Sequence, residues 1–286
     1  MKIIIDHLTH KYEKGTSHEV VAFEDVNIVI EEGQFVCLIG HTGCGKSTLI
    51  QHLNGILKPD SGTIYYNGED IFEKGYDLRS LRQKVGLVFQ YPEHQLFGET
   101  CFSDVCYGPL NMGLSKKEAE LRSYEVMKLV GIDDEIFYQS PFNLSGGQKR
   151  KVAIAGILAM RPEVLILDEP TAGLDPLGQK EIFNLIKKIQ KETNLTIILV
   201  SHSMEDVANY ADKIVVMNHG HVLYNDEPKK VFAHYDELEK IGLKAPFASY
   251  LMADLSKKGF DVDTNITTNE EAVSEILHAL GRKEVD

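Results

Sequence analysis

Short runs of apolar and β-branched residues, separated by turn residues, recur along the first third of the chain and predict β-strands. The segments that fit this pattern are 2–5, 23–30, 35–39, 62–66 and 85–89. The third segment leads directly into a glycine-rich loop, and apolar residues then recur at helical spacing from Leu49 to Leu57. The pattern therefore predicts a strand, a glycine loop and a helix in direct succession.

Helical spacing replaces the strand pattern between residues 92 and 161, where 116–130 is a clearly amphipathic stretch. Continuous apolar runs follow at 164–170 and 196–202, and such runs are typical of parallel strands that are buried on both faces. The sequence thus predicts a core sheet that is interrupted by an inserted helical subdomain at about 92–161.

The strand pattern ends with a predicted hairpin, 215–217 and 221–224, and helices are predicted after about residue 233. These later helices are 246–258 and 269–280. We therefore divide the chain into a main domain, 1–233, and a small C-terminal helical extension, 234–286. An apolar stripe on the last helix predicts one buried face without indicating its partner.

The 286 residues include 30 Lys and Arg against 43 Asp and Glu, a net charge of −13. This balance argues against broad binding to nucleic acid, and no nucleic-acid partner is expected.

The longest apolar runs, such as 152–160, are about half of the ~18 residues that a membrane-spanning helix needs. The apolar stretch near the N-terminus is too short for a secretory leader, so a cytoplasmic location is expected. The four cysteines have no metal-binding spacing and are expected to be reduced thiols.

The glycine loop has the spacing of a phosphate-binding P-loop, with Gly40, Gly45, Lys46 and Ser47 at the defining positions. Glycines let successive backbone N–H groups turn toward one anion, and the dipole of the following helix adds positive potential. In this motif the lysine neutralises the β- and γ-phosphates and the serine ligates Mg²⁺. The predicted ATP-binding residues of the loop are Gly40, His41, Thr42, Gly43, Cys44, Gly45, Lys46, Ser47 and Thr48.

Two acidic residues, Asp168 and Glu169, follow the apolar strand VLIL, where P-loop enzymes hold a carboxylate near the metal. A carboxylate one residue further on is placed to accept the proton of the water that attacks the γ-phosphate. His202 ends the next buried strand and is a candidate for orienting that water. The alternatives are solvated strand-end acids and an ordinary packed or surface histidine.

A second serine and glycine cluster, Leu144-Ser145-Gly146-Gly147-Gln148, forms another candidate anion cradle at a helix start. It is far along the chain from the P-loop and belongs to the predicted helical subdomain. We therefore expect that one chain does not close both cradles around a single nucleotide.

Together these motifs resemble those of ATP-binding cassette (ABC) ATPases. The elements that occur in the order of that family, up to about residue 233, are GHTGCGKST, Gln90, LSGGQ, VLILDEP, Gly173-Leu174-Asp175 and His202. The resemblance implies an α/β fold, an ABC-type P-loop NTPase cassette with a mixed core sheet, an N-terminal antiparallel β subdomain and an inserted helical subdomain. It also implies that two cassettes face head to tail, with each ATP between the P-loop of one and the LSGGQ of the other.

The resemblance further implies a role for each matching residue in hydrolysis. Glu169 is the general base, His202 is the switch histidine, and Gln90 senses the metal and couples the site to the transporter. The residues implied to support Mg²⁺ are Ser47, Gln90 and Asp168, and those implied to act on the ATP of the partner cassette are Ser145, Gly146, Gly147, Gln148 and Asp175. Tyr12 stands where the family places an aromatic residue that stacks on adenine; the alternative is an ordinary strand-end tyrosine.

The segments after Gln90 narrow the resemblance to the ATPases of energy-coupling factor (ECF) transporters. YPEHQLFGET and DVCYGP are similar to stretches typical of that group, and QHLNG and AMRPE resemble the second of its two A-type subunits. Leu96 and Phe97, beside acidic residues, are expected to form a groove with a negative rim for an amphipathic helix that carries arginines. The alternative is that both belong to the core of the helical subdomain. The predicted coupling residues are Glu93, Gln95, Leu96, Phe97 and Glu99.

The resemblance implies a peripheral ATPase on the cytoplasmic face of the cell membrane, which powers uptake of vitamins or other micronutrients, metal ions among them. Its implied partners are a paralogous ATPase, a transmembrane scaffold and an exchangeable substrate-binding membrane component. An ordinary ABC importer ATPase is the nearest alternative, and a non-transport ABC ATPase is a more distant one. The sequence leaves open the substrate, a homodimer against a heterodimer, and whether the C-terminal extension contacts the second ATPase or its own cassette.

Overall fold

A computed structural model describes residues 2–281 of the chain. Its strands are β1 (Lys2–Tyr12), β2 (Val20–Glu31), β3 (Phe35–Gly40), β4 (Ser61–Tyr66), β5 (Glu69–Asp70), β6 (Val85–Val88), β7 (Val164–Asp168), β8 (Thr196–Val200), β9 (Lys213–Asn218) and β10 (His221–Asp226). Its α-helices are α1 (Lys46–Leu53), α2 (Leu78–Lys84), α3 (Cys101–Asn111), α4 (Lys116–Leu129), α5 (Asp134–Phe137), α6 (Gly146–Leu158), α7 (Pro176–Thr193), α8 (Met204–Tyr210), α9 (Pro228–Phe232), α10 (Tyr235–Lys240), α11 (Phe247–Lys257) and α12 (Asn269–Ala279). Short 3₁₀ turns are Pro92–Gln95 and Pro141–Asn143.

The strands form a smaller and a larger sheet. The smaller sheet is antiparallel, in the order β2-β1-β4-β5, and the larger sheet has the order β10-β9-β3-β8-β7-β6. In the larger sheet β9, β3, β8, β7 and β6 run parallel, whereas β10 pairs antiparallel with β9. The predicted α/β class, with a mixed core sheet beside an antiparallel β subdomain, is confirmed.

Three adjacent strands of the larger sheet, β3, β8 and β7, are buried along their whole length. Successive side chains of a strand point to opposite faces, so each strand contributes to two cores. Phe35 and Cys37 lie in the core that includes the helical subdomain and α7. Val36 and Leu38 lie in the core shared with α1 and the antiparallel sheet. Burial on both faces explains why β7 and β8 appear in the sequence as continuous apolar runs.

Helices α3 to α6 lie between β6 and β7 in the chain, where the sequence predicts a helical subdomain. Their inward residues share the core of the Phe35 face, and examples are Cys101, Val105, Met127 and Ile154. The subdomain is therefore packed on one face of the larger sheet.

The elements differ from the predicted ones where the backbone leaves regular geometry. β1 continues to Tyr12 rather than ending at Ile5, because an irregularity at His7, with φ of 48°, shifts the alternation of buried positions. α1 begins at Lys46, within the P-loop motif, rather than at Leu49. The short elements β5 and α2 contain too few apolar residues for periodicity to predict them.

The C-terminal helices α11 and α12 enclose a small core of their own. The residues buried together there are Ala248, Met252, Ile266 and Ala272. On α12, Ile276 also packs against this core, whereas Val273 and Leu280 are 58% and 55% exposed. Part of the predicted apolar stripe therefore stays on the surface, and the partner of the extension stays open. Residues 282–286 of the predicted extension lie outside the described residues.

Within residues 2–281, no helix combines the length and the apolar character that crossing a membrane requires. The cysteines are free thiols in buried positions: Cys37, Cys44, Cys101 and Cys106.

A buried histidine at the end of α1 links the stability of the fold to pH. The His52 ring is fully buried against Phe23, with 5.2 Å between ring centroids, and its Nδ1 bonds to the Thr48 carbonyl oxygen at 2.8 Å. Burial lowers the pKa of His52 to about 4, although the bond to Thr48 acts in the opposite direction.

We therefore expect acid to destabilise the protein through His52. An unfolded histidine has a pKa of about 6.5. Between that pH and about 4 the unfolded state binds more protons, so the free energy of unfolding falls as the pH is lowered through this window. His52→Phe removes this contribution, roughly 3 kcal/mol across the window. Urea unfolding at several pH values measures the slope, with His18→Phe as an exposed control; a slope in His52→Phe equal to that of the wild type would contradict the assignment.

Candidate ATP-hydrolysis site

The P-loop joins β3 to α1 and depends on glycine at two positions. Gly45 has a left-handed φ of 102°, and a Cβ there would lie 2.4 Å from the Ala22 carbonyl oxygen. A Cβ on Gly40 would lie 2.4 Å from the Met217 carbonyl oxygen. No side chain fits at either position, so the loop can follow its tight course around Lys46 only with glycine there.

The ammonium group of Lys46 lies inside this loop. Its Nζ donates hydrogen bonds to the carbonyl oxygens of Gly40 at 2.8 Å and His41 at 3.0 Å, and the residue is 5% exposed. A third and weaker contact joins Nζ to Cys44 Sγ at 3.7 Å, so all three donors of the ammonium group face atoms of the loop. The loop thus places cationic donors beside the N-terminus of α1, which is the arrangement that a phosphate requires.

Ser47 and Asp168 bring oxygen donors together next to the P-loop. Asp168 ends β7 and is 6% exposed. Burial raises the pKa of its carboxyl group, whereas the hydrogen bond from Ser47 and the charge of Lys46 act to lower it. Hydroxyl and carboxylate oxygens suit Mg²⁺, which takes oxygen ligands, so this donor pair fits the predicted metal.

The carboxylate of Glu169 is held between two side chains from neighbouring strand ends. Its Oε2 accepts a hydrogen bond from Gln90 Nε2 at 2.8 Å, and its Oε1 lies 2.7 Å from His202 Nε2. Glu169 has a left-handed backbone, with φ of 47°, which is strained for a residue other than glycine. Because β6, β7 and β8 are adjacent and parallel, their carboxyl ends meet at one edge and bring these three predicted residues together.

Tyr12 lies beside α1 at the end of β1. Its hydroxyl oxygen is 3.0 Å from Thr48 Oγ1, and its ring makes an edge contact with His10 at 4.8 Å between centroids. The residue is 42% exposed. Part of the ring is therefore accessible to a planar group next to the phosphate loop, as adenine stacking requires.

The second cradle begins α6, in the helical subdomain. Ser145 and Gln148 form a reciprocal capping box: Ser145 Oγ accepts from Gln148 N at 3.3 Å, and Gln148 Oε1 accepts from Ser145 N at 3.0 Å. A Cβ added to Gly146 or Gly147 would meet no other described residue within 4 Å. The packing of this chain therefore does not require glycine at either position.

Asp175 caps the start of α7. Its Oδ1 accepts a hydrogen bond from Gly178 N at 2.9 Å, and Gly173, just before it, has φ of 77°. The side chain is thus held by its own helix, and its action on the ATP of a partner cassette stays a prediction.

The predicted coupling segment borders a groove of about 400 Å³ on the helical subdomain. The apolar and amide residues that line the groove include Gln95, Leu96, Phe97, Tyr107, Ile157 and Met160. Leu96 is 8% exposed and belongs to the core, whereas Phe97 is 61% exposed and makes an edge contact with the Tyr107 ring. Of the two predicted apolar anchors, Phe97 is the one that is open to a partner.

The rim of the groove differs from the predicted acidic rim. Glu93 forms an ion pair with Arg150 at 2.9 Å, and Glu99 is exposed but does not line the groove. The charged residues that line it are Arg79, Arg82 and Asp104. Asp104 Oδ2 accepts a hydrogen bond from Phe97 N at 2.9 Å, so it holds the segment in place. The expectation that Glu93 belongs to a negative rim is wrong, because Glu93 pairs with the buried Arg150 and does not line the groove.

Arg150 is the functional candidate that sequence reasoning missed. It is 2% exposed, and its guanidinium group contacts both Glu93 and the carbonyl oxygen of Ala172. The available signal was its spacing: Arg150 precedes the buried Ile154 by four residues and so faces the interior on the same side of α6.

A P-loop that faces an acidic pair and a histidine at the edge of a parallel sheet defines a P-loop ATPase. The chain matches the family model described as ABC transporter over residues 23–172. Among solved structures, it is similar to cbiO1 from Clostridium perfringens, described as part of the ABC transporter complex cbiONQ, with a TM-score of 0.75 and 40% identity over 88% of this chain and 98% of that chain. A dimeric ATP-binding cassette bound to ADP and Pi gives a TM-score of 0.70 and 29% identity over 79% of this chain and 98% of that chain.

Curated relatives define the group more closely. The energy-coupling factor transporter ATP-binding protein EcfA2 of Caldanaerobacter subterraneus is 53% identical over 286 residues, which cover 100% of both chains. The EcfA2 protein of Clostridium tetani is 54% identical over 284 residues, 99% of both chains. The chain therefore belongs to the ABC transporter ATPases and, within them, to the energy-coupling factor transporter ATP-binding proteins of the EcfA2 type. The predicted resemblance, including the second A-type subunit, is confirmed.

We expect Lys46→Ala to weaken ATP binding by about tenfold to a hundredfold, because a hydrogen bond to a charged group contributes roughly 1.5–3 kcal/mol. Isothermal titration with ATP measures the affinity. Lys84→Ala is the matched control, since Lys84 lies 3.9 Å from Glu163 and away from the loop. An unchanged affinity in Lys46→Ala would contradict the assignment of the P-loop.

Proposed function

We propose that this ATPase subunit closes on Mg²⁺-bound ATP together with a second, paralogous cassette on the cytoplasmic face of the cell membrane. Closure and hydrolysis then drive a transmembrane scaffold and an exchangeable substrate-binding component that import vitamins or other micronutrients, metal ions among them. The observation that carries the proposal is the meeting of Gln90, Glu169 and His202 beside the P-loop within 3 Å contacts. The membrane partners are inferred from the relatives that are named as energy-coupling factor subunits.

The loop from Gly40 to Thr48 binds the phosphates, and Tyr12 contacts the adenine ring. Ser47, Asp168 and Gln90 are the residues that would hold Mg²⁺, which supplies positive charge against the phosphate oxygens when it is bound. Support for this role comes from the hydrogen bond between Ser47 and Asp168 next to Lys46.

Glu169 accepts the proton of the attacking water. Its two carboxylate oxygens are oriented by Gln90 and His202, and each oxygen still has a lone pair to offer. A base that is fixed before the water arrives does not have to be ordered during the reaction. His202 orients both the carboxylate and the water near the γ-phosphate.

A second cassette completes each site. Gly146 and Gly147 have open space around them, so their lack of side chains fits close approach by a nucleotide that another chain holds. Ser145, Gln148 and Asp175 act on that nucleotide with them. We propose a paralogue rather than a second copy because the EcfA2 type is the second of two A-type subunits.

The groove beside Gln95, Leu96 and Phe97 receives a helix of the scaffold. The exposed Phe97 ring offers an apolar anchor, which is what an amphipathic helix in a groove needs. Glu99 is exposed next to this segment and provides a negative charge near the entering helix.

Replacing the base separates binding from hydrolysis. In Glu169→Gln the amide cannot accept a proton, so we expect hydrolysis to fall by about 10² to 10⁴ while ATP affinity is kept and the closed pair of cassettes accumulates. Phosphate release and size-exclusion chromatography with ATP measure the two effects. Glu205→Gln, the same chemical change at an exposed position of α8, is the control; ordinary turnover in Glu169→Gln would remove Glu169 as the base.

A charged substitution at the exposed Phe97 tests whether the groove binds the membrane subunits. Phe97→Asp is expected to reduce recovery of membrane subunits with the tagged chain at least about tenfold, because a buried carboxylate without a partner is costly, while leaving ATP binding intact. Leu121→Asp is the matched control, since Leu121 is 57% exposed, close to the 61% of Phe97, and does not line the groove. Equal recovery from both variants would show that the partner binds elsewhere.

A further inference from the structure

One buried guanidinium group joins three segments of the ATPase. Arg150 Nη2 lies 2.9 Å and 3.0 Å from the two carboxylate oxygens of Glu93, and Nη1 donates to the carbonyl oxygen of Ala172 at 2.9 Å. The side chain of Arg150 is 2% exposed and that of Glu93 is 19% exposed. The three groups therefore form a nearly dry junction, defined here as Arg150, Glu93 and Ala172.

The first segment connects the groove to the base. Glu93 stands three residues after Gln90, which bonds to Glu169, and four residues before Phe97, which lines the groove. An occupant that displaces Phe97 therefore acts on a segment of eight residues that also holds Glu93 and Gln90.

The other two segments carry the second cradle and the backbone of the base. Arg150 belongs to α6, whose first turn is capped by Ser145. Ala172 N donates to the carbonyl oxygen of Glu169 at 3.1 Å, so Ala172 closes the turn that holds the left-handed Glu169. The Arg150 side chain, which belongs to α6, thus contacts two other parts of the protein. One is Glu93, in the segment that leads to the groove, and the other is Ala172, in the turn that holds Glu169.

Stability alone is a poor account of this junction. Burying an arginine and a glutamate costs several kcal/mol of desolvation, and apolar residues of similar volume often stabilise such a site as well or better. What the ion pair adds is geometry, since the planar fork of arginine fixes two partners at once and a lysine ammonium group does not.

We infer that Arg150 is a positioning residue that transmits occupancy of the groove to the Glu169 turn and to the helix of the Ser145 cradle. This inference rests on the proposed role of the groove as the binding site of the membrane scaffold. When an entering helix displaces Phe97, Glu93 moves with the same short segment. The guanidinium group of Arg150 follows Glu93 and carries Ala172 and α6 along. Hydrolysis then responds to the membrane partner without any contact between that partner and the ATP.

The test compares the two cassettes alone with the complete complex, purified with its membrane subunits from the native host. ATP is the probe, and kcat and KM are measured in both preparations. The coupling factor is the ratio of the two kcat values. Arg150→Lys is expected to reduce this factor about tenfold, toward one, while the KM for ATP stays within about twofold. Lys151→Gln, the next residue of α6, whose ion pair with Glu181 lies outside the junction, is expected to keep the wild-type factor.

A second variant distinguishes a loss of coupling from misfolding of Arg150→Lys. Arg150→Met with Glu93→Leu removes both charges together and leaves no unpaired buried ion, so thermal melting is expected to stay near that of the wild type. It too should lose the coupling factor. A wild-type factor in either variant would overturn the inference and leave the proposed function standing. A wild-type complex whose kcat equals that of the cassettes alone would instead contradict the proposed function, and with it the inference.

Discussion

Burial of the parallel strands on both faces is the constraint on which the rest of this structure depends. β3, β7 and β8 can be covered on both sides only because helices pack on one face and the antiparallel sheet with α1 on the other. This sandwich fixes the strand order, and the order places the carboxyl ends of β3, β6, β7 and β8 at one edge. The loops at that edge carry the P-loop, the acidic pair, Gln90 and His202, so the site is assembled by residues distant in the sequence.

Each buried charge near this edge has a defined partner. Lys46 bonds to two carbonyl oxygens of its own loop, Asp168 to Ser47, and Arg150 to Glu93. A charged group that is held by oriented dipoles or by an ion pair keeps its position at little reorganisation cost when a substrate arrives. The strained backbone of Glu169 belongs to the same arrangement, because a left-handed residue is retained where surrounding contacts impose it.

Much of this arrangement could be predicted from the sequence, and the exceptions have physical causes. The P-loop and the strand-end residues could be predicted because glycine spacing and apolar runs are local signals. The extent of β1 could not be predicted, since the irregularity at His7 breaks the period on which the prediction depends. The environment of Glu93 could not be predicted either. Its partner Arg150 is 57 residues away along the chain, and pairing over that distance is decided by tertiary packing. Leu96 and Phe97 are adjacent and equally apolar, yet their exposed fractions are 8% and 61%.

The central claim is that each nucleotide is held by two different chains. A cryo-EM structure of the complete complex with Mg²⁺ and a non-hydrolysable ATP analogue tests it directly. We expect Lys46 and Ser47 to contact the phosphates of one analogue, while Ser145 and Gly147 of the same chain contact the analogue that is bound to the P-loop of the second cassette. An analogue enclosed by Lys46 and Ser145 of one chain, or one whose phosphates no second cassette contacts, would contradict the account.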